Sequence, residues 1–557
     1  MAPPGIPSRL LALWPWACAA LSGFLLVLCY PGWDQGWLVW LALTPLIAAV
    51  WLSPRPSRHP WLRHALLGYV AGIVFFSITF RWLGSPLADL FKNSWLIGIP
   101  PLLSTYLGLY FAFWSWFIGL LPRGDTKFLS SGRNVLIAFL AAAAWVAQEW
   151  TRGWLLGGFG WNGLGVALHQ NLALIQIADL CGLFGISFLV AFSNVIAFIT
   201  VRRLIAEVGR VRIRPHYDFS AMMACIVATF SYGVHAIQHP AAVSDSIPLR
   251  FAAVQPDVPD SEKFDGAHAQ LIYDRYDSLT HTAIAWDPQL LLWPEAATLT
   301  DLFDSGTFTW LKEIAASTDA TFLLGSILSP PGDGDYNIAA CFTRHGKNLQ
   351  IYRKMHLVPF GEYIPARNSF PLFAKIAGGL VPSDLSAGTQ HTLFQLDNPP
   401  IRVAPLICFE DTVGDLTRLM ASGTGSGTAQ LLVNITNDSW FGLSPGSTQH
   451  VANAIFSSIE TRRPLIRDAN TGISCVIDAQ GRIVQSLRNP DGTPFLEGIL
   501  FGTVNVPRNP PITFYMRHGD WVAYASAAIT ALTLLLALTL RLIRPISPVS
   551  PIPPPHK

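Results

Sequence analysis

Long apolar runs alternate with short polar loops over the first 240 residues, and shorter patterns follow. Runs close to the ~20 residues that a bilayer core requires recur at 10–30, 36–53, 65–83, 94–121, 134–150, 178–201, 219–237 and 521–540, and predict eight membrane-spanning helices. The last carries no charge from Trp521 to Leu540. The fifth is short and ends in Gln148-Glu149. The fourth contains Pro100-Pro101, which predicts a kinked or re-entrant start.

Between 249 and 505 the pattern changes. Strand-like runs occur at Leu249–Val254, Leu290–Trp293, Thr321–Ile327, Arg402–Ile407, Leu431–Asn434, Ile473–Asp478 and Gly498–Val504. Helical stretches at 263–285, 307–318 and 446–463 separate several of them. Asn337–Cys341 followed by His345-Gly346-Lys347 reads as strand, turn, strand. Alternating strands and helices predict a layered α/β domain. The expected organisation is a helical bundle over 1–237, the α/β domain over 249–505, a final span at 521–540, and a disordered proline-rich tail over 545–557.

Composition agrees. Of 557 residues, 51% are hydrophobic and 13% charged, against about 25% charged in soluble domains. The net charge of +2 gives no case for nucleic-acid binding. Charge position is more telling. Arg9, then Arg55, Arg58 and Arg63, then Arg123, Lys127 and Arg133, then the five arginines between 202 and 214, then Arg541 and Arg544 fall in every second loop. The loops between them hold little, namely Lys92 and Arg152. That alternation predicts cytoplasmic termini and an extracytoplasmic α/β domain. Arg9 with Ala17-Cys18-Ala19-Ala20 also fits a cleaved signal peptide, but the alternation works only if the first span is retained.

Seven cysteines are scattered, and none has zinc-ligand spacing. Cys341 and Cys475 could pair or remain buried as small hydrophobes. Cys408 is set apart by its neighbours. It follows the apolar run Val403–Ile407, Glu295 follows Trp293-Pro294, and Lys354 follows Leu349–Arg353. A thiol reacts as its thiolate. A carboxylate can take its proton, and a cation can hold the anions that form. Taken singly, each residue is as readily a loop carboxylate, a solvated lysine or a core cysteine.

Their order and setting carry a resemblance. Trp293-Pro294-Glu295, His356-Leu357-Val358-Pro359-Phe360-Gly361-Glu362-Tyr363-Ile364-Pro365, Ile407-Cys408-Phe409-Glu410 and Asn434–Gly442 are similar to the motifs of the apolipoprotein N-acyltransferase family, the membrane branch of the nitrilase (carbon–nitrogen hydrolase) superfamily. Arg463–Arg467, Asn470–Ser474, and Glu149–Trp154 with Gly158–Trp161 extend the match. Phe409 stands where the family commonly has Tyr, and Gly160 where it commonly has Pro. Residues 255–265 match poorly, leaving Phe264 where an aromatic substrate contact is expected.

The resemblance implies a four-layer αββα sandwich with a Glu295, Lys354, Cys408 triad supported by Glu362. It implies transfer of an acyl chain from a membrane phospholipid, through a Cys408 thioester, to the amine of a diacylglyceryl-cysteine on an apolipoprotein. No metal or other cofactor is implied. The setting would be the bacterial inner membrane, with the catalytic domain on the periplasmic side. Phe409, Glu410 and Trp440 are expected substrate contacts, as is Phe373 in the apolar stretch 366–389, which could be a membrane-dipping lid or could pack on its own domain. Two alternatives are a membrane-anchored amidase acting on a small amide and a non-catalytic membrane scaffold.

Overall fold

The computed structural model describes residues 8–53, 59–84, 88, 94–122, 131–208, 215–240, 245–263, 266–365, 367, 384–423 and 427–543. Phe264, Phe373, most of the 366–389 stretch and the 545–557 tail lie outside the described residues, as do several of the basic loop residues, among them Arg55, Arg123 and Arg210.

Helices occupy all eight expected apolar runs. Among the described residues, five are long and apolar enough to cross a membrane: Pro60–Thr79, Ile99–Leu120, Ala178–Glu207, Tyr217–Gln238 and Trp521–Thr539. Ser8–Leu28 and Ser131–Arg152 are helices of 21 and 22 residues. The expected run 36–53 is not one helix. It is a short 3₁₀ segment, Gly36–Trp40, followed by Thr44–Leu52. Pro45 explains the break, since it has no N–H to give Leu41 and its ring would crowd that carbonyl. Asn194 of the Ala178–Glu207 helix satisfies the interrupted backbone. Its Nδ2 donates to Val39 O at 2.8 Å, and its Oδ1 accepts from Leu43 N at 2.9 Å. Pro100 and Pro101 produce no kink. They sit in the first turn of Ile99–Leu120, where missing N–H groups have no intrahelical partner to lose.

Among the described residues, twelve strands form two six-stranded sheets. In chain order they are β1 (Ser246–Gln255), β2 (Leu290–Leu292), β3 (Thr321–Leu328), β4 (Tyr336–Phe342), β5 (Leu349–Arg353), β6 (Phe394–Gln395), β7 (Arg402–Ile407), β8 (Leu431–Thr436), β9 (Leu465–Ala469), β10 (Cys475–Ile477), β11 (Ile483–Ser486) and β12 (Gly498–Pro507). One sheet runs β12-β1-β2-β3-β4-β5 and the other β11-β10-β9-β8-β7-β6. Strands β1-β2-β3 and β7-β8-β9 are parallel, and the outer pairs are antiparallel.

Residue alternation divides the first sheet between two cores, as side chains with a period of two must. Phe251, Ala253, Leu290, Leu292, Leu323, Ala339 and Cys341 join a core shared with the second sheet. Their neighbours Ala252, Val254, Leu291, Trp293, Phe322, Leu324 and Ile338 face the other way, against helices Ala269–Ile284 and Ser305–Ala316. Helices Gly414–Ser422 and Gly446–Thr461 accompany the second sheet. Cys341 and Cys475 are both buried in the shared core with free thiols, so the pairing considered for them is not made.

Candidate active site

The three expected chemical residues sit where strands end. Glu295 lies just past β2, Lys354 is the residue after β5, and Cys408 is the residue after β7. Parallel strands put such positions at one rim, and the two sheets bring the rims together. Cys408 has φ +53°, in the left-handed region. A non-glycine residue held there costs on the order of 1–3 kcal/mol and turns its side chain out of the strand direction.

Lys354 is 1% exposed. Its Nζ donates to Glu295 Oε1 at 3.1 Å and to Glu362 Oε1 at 2.9 Å. Asn337 Nδ2, from β4, donates to the same two oxygens at 2.8 and 2.9 Å. Asn437 N donates to Glu295 Oε2 at 3.0 Å, and Val358 N to Glu362 Oε2 at 2.8 Å. Both carboxylates are thus oriented on both oxygens. Burial opposes the charge of Lys354, but Glu295, Glu362 and then Cys408 outweigh it and hold its pKa well above the usual value.

Cys408 is half-buried. Burial pushes its thiol pKa up, and Glu295 adds to the rise, while Lys354 and a hydrogen bond with the Thr436 side chain oppose it. At neutral pH the resting group is therefore the thiol, beside a carboxylate and a fixed ammonium. That arrangement can move one proton from sulfur to carboxylate and stabilise negative charge as it forms.

The sequence also aligns with known proteins. Residues 22–196 match the family model for the apolipoprotein N-acyltransferase N-terminal domain, and residues 268–506 match the carbon-nitrogen hydrolase family. An apolipoprotein N-acyltransferase of Geobacter metallireducens is 32% identical, over 92% of this chain and 93% of that one. The enzyme of that name from Rhodopseudomonas palustris is 31% identical, over 94% and 96%. The chain belongs to the apolipoprotein N-acyltransferase family. A similarly named Thermotoga maritima protein is 28% identical, over 92% of this chain and 91% of that one. A solved carbon-nitrogen hydrolase superfamily protein from Xanthomonas campestris covers 53% of this chain at 17% identity, with a TM-score of 0.34, too loose a superposition to carry detail across.

Around Glu295, Lys354 and Cys408 of this apolipoprotein N-acyltransferase family member, the expected substrate contacts divide. Glu410 is fully buried and engaged on both oxygens. Oε1 accepts from Tyr352 OH at 2.9 Å, Met355 N at 2.7 Å and His356 N at 3.0 Å, and Oε2 accepts from Ile407 N at 2.8 Å. It clamps the segment after Lys354 to the residue before Cys408, a geometry that departs from the expected substrate contact. Burial pushes its pKa up to about 7 against the three backbone donors. Phe409 is 6% exposed and lies parallel to Trp161, centroids 5.7 Å apart and planes 2° apart, so it walls the site toward the helical region. Trp440 is half-buried on the turn Asp438–Phe441.

Sequence reasoning missed Asn337, Thr436 and the Asn437 amide. Each comes from a strand or strand end next to one that carries a triad residue. The available signal was a polar residue inside an otherwise apolar strand, as at Asn337 and Asn434.

The helical region meets the α/β domain through polar contacts of its own. Gln449 Oε1 accepts from Trp82 Nε1 at 3.1 Å, Trp161 Nε1 at 3.2 Å and Asn162 Nδ2 at 3.1 Å. Arg462 pairs with Asp179 at 2.7 Å.

Proposed function

We propose that this protein transfers a fatty acyl chain from a membrane phospholipid to the N-terminal amine of the S-diacylglyceryl-cysteine of apolipoproteins. The observation that carries the reading is Lys354 Nζ held between Glu295 and Glu362 beside the Cys408 thiol. Glu295 takes the thiol proton, and the thiolate attacks the ester carbonyl. Lys354 holds the oxyanion. The carbon–oxygen bond breaks, Glu295 returns the proton to the leaving oxygen, and a lysophospholipid departs. The acceptor amine, as free base, then attacks the thioester and gives its proton to Glu295. The carbon–sulfur bond breaks, and Cys408 is reprotonated. Splitting amide synthesis this way gives ping-pong kinetics. Glu362 orients Lys354.

In this reading the eight apolar segments, the broken 36–53 segment among them, span the bacterial inner membrane, residues 249–505 form the catalytic domain, and that domain faces the periplasm. Exposed Trp33, Trp37, Trp154 and Leu156, on loops at the bundle end that meets the sandwich, suit a leaflet edge from which lipid enters. Phe373 and the 366–389 stretch belong to the same proposal as a lid.

The test is a lysophospholipid-release assay with purified protein, phospholipid and a diacylated peptide, read by mass spectrometry of the acyl-enzyme. A fatty thioester on Cys408, discharged by the peptide, is expected. A small acyl group, or no adduct with turnover intact, overturns the reading.

A further inference from the structure

Behind the nucleophile lies a closed cluster of charge that the chemistry above does not use. Asp411, Asp438, His450 and Arg467 are all fully buried. They come from the turn after Cys408, the turn after β8, the helix Gly446–Thr461 and β9. His450 Nε2 lies 2.9 Å from Asp411 Oδ1, and Nδ1 lies 3.0 Å from Asp438 Oδ1. Arg467 Nη1 donates to Asp411 Oδ2 at 2.8 Å, and Nη2 to both Asp438 oxygens at 2.9 Å. His450 and Arg467 thus each bridge Asp411 and Asp438.

The cluster reaches the reacting groups by three short routes. Arg467 Nη1 also donates to Asn434 Oδ1 at 3.1 Å, and Asn434 Nδ2 donates to Cys408 O at 2.9 Å. Thr436 Oγ1 donates to Asp438 Oδ1 at 3.3 Å, and the Thr436 side chain is among the groups that lower the Cys408 thiol pKa. Asn437, adjacent to Asp438, gives its backbone N–H to Glu295. One buried unit therefore fixes the carbonyl of the nucleophile and one oxygen of the base.

We propose that His450, clamped between Asp411 and Asp438, is a positioning residue that sets the alignment of Cys408 with Glu295 for acyl transfer. The proposal rests on the reading of Cys408 as nucleophile and Glu295 as base. His450 touches neither substrate nor the reacting atoms. It acts by giving Asp411 Oδ1 a partner that Arg467, bound at Oδ2, does not supply, and the imidazole spans the gap between the turn after Cys408 and the turn after β8. The groups facing it from every packed element are Asp411, Asp438, Arg467 and the Trp161 ring, whose centroid is 5.2 Å away. The two carboxylates outweigh burial and Arg467 and raise its pKa above the ordinary histidine value.

The test uses the full-length protein with His450→Gln, and Asp411→Asn as an independent second variant. Two quantities are read: steady-state acyl transfer, and the pH profile of Cys408 alkylation by iodoacetamide, followed by peptide mass spectrometry. A misaligned nucleophile predicts a fall in kcat of about a hundredfold. It predicts KM for both substrates within about twofold of wild type, and an alkylation profile displaced to higher pH. The proposal is overturned if kcat falls only in proportion to the folded fraction while the alkylation profile is unchanged, or if neither quantity moves. Where His450→Gln does not accumulate, Asp411→Asn decides by the same criteria. Alkylation needs no lipid. A wild type that alkylates normally but transfers no acyl chain would refute the proposed substrates and leave the His450 assignment to stand or fall on its own profile.

Discussion

Lys354 stands closer to Glu362, at 2.9 Å, than to Glu295, at 3.1 Å. The ammonium is therefore shared, and the residue that would accept the thiol proton is not its sole partner. Glu362→Gln keeps an acceptor for Lys354 but removes one charge and the acceptor for Val358 N. The expected result is a fall in kcat of about 10- to 100-fold, with Glu295→Gln falling further because the proton acceptor itself is lost. Parallel steady-state assays of the two variants check the order.

Cys408→Ala is expected to abolish lysophospholipid release with the fold retained, since losing one sulfur from a half-buried side chain leaves little void. Cys408→Ser is not expected to restore turnover, because an alkoxide forms far less readily than a thiolate. Release assays, with thermal melts as the control for folding, decide both.

Glu460 predicts a pH dependence of stability. It is buried, accepts from Leu183 N at 2.9 Å, and has Asp520 and Asp415 as acidic neighbours. Burial pushes its pKa up to about 8, above the roughly 4.3 of an unfolded glutamate. The folded state thus holds the proton more tightly. The associated stability is full below the unfolded value and is lost as pH rises through about 8. Glu460→Gln keeps the acceptor and cannot ionise. Its melting temperature should match wild type near pH 5 and exceed it near pH 9, a comparison made by thermal unfolding in detergent.

Gln449→Leu should uncouple the helical region from the catalytic domain. It would strand three donors, on Trp82, Trp161 and Asn162, in a buried place. Each unsatisfied group costs about 1–3 kcal/mol. A lower melting temperature together with lost activity is expected; a wild-type melt would show that water replaces the glutamine.

Glu295, Lys354 and Cys408 stood out in the sequence because each follows an apolar run, and a strand end is a place that short motifs can mark. The polar groups around them did not, because no motif marks Asn337, Thr436 or the Asn437 amide, which reach the site only through the pairing of β4 with β5 and of β8 with β7. Strand β9 was hidden for another reason. Arg467 and Asp468 interrupt the apolar pattern of a strand, yet both are fully buried, and the partners of Arg467 come from four other elements. Glu410 was visible in the Cys motif, but only its four donors reveal that it ties two strand ends together. The run 36–53 looked continuous because apolarity alone does not register Pro45, nor the distant Asn194 that makes the break tolerable.

The parallel contact of Phe409 and Trp161 gives one wall of the nucleophile's chamber two distant addresses in the chain. A catalytic half cut away from its helices would lose that wall and expose the glutamine and aromatic faces behind it. The membrane portion is then more than an anchor. It completes the chamber, so catalytic domains exchanged between relatives would need their loop from Gly158 to Trp161 carried along with them.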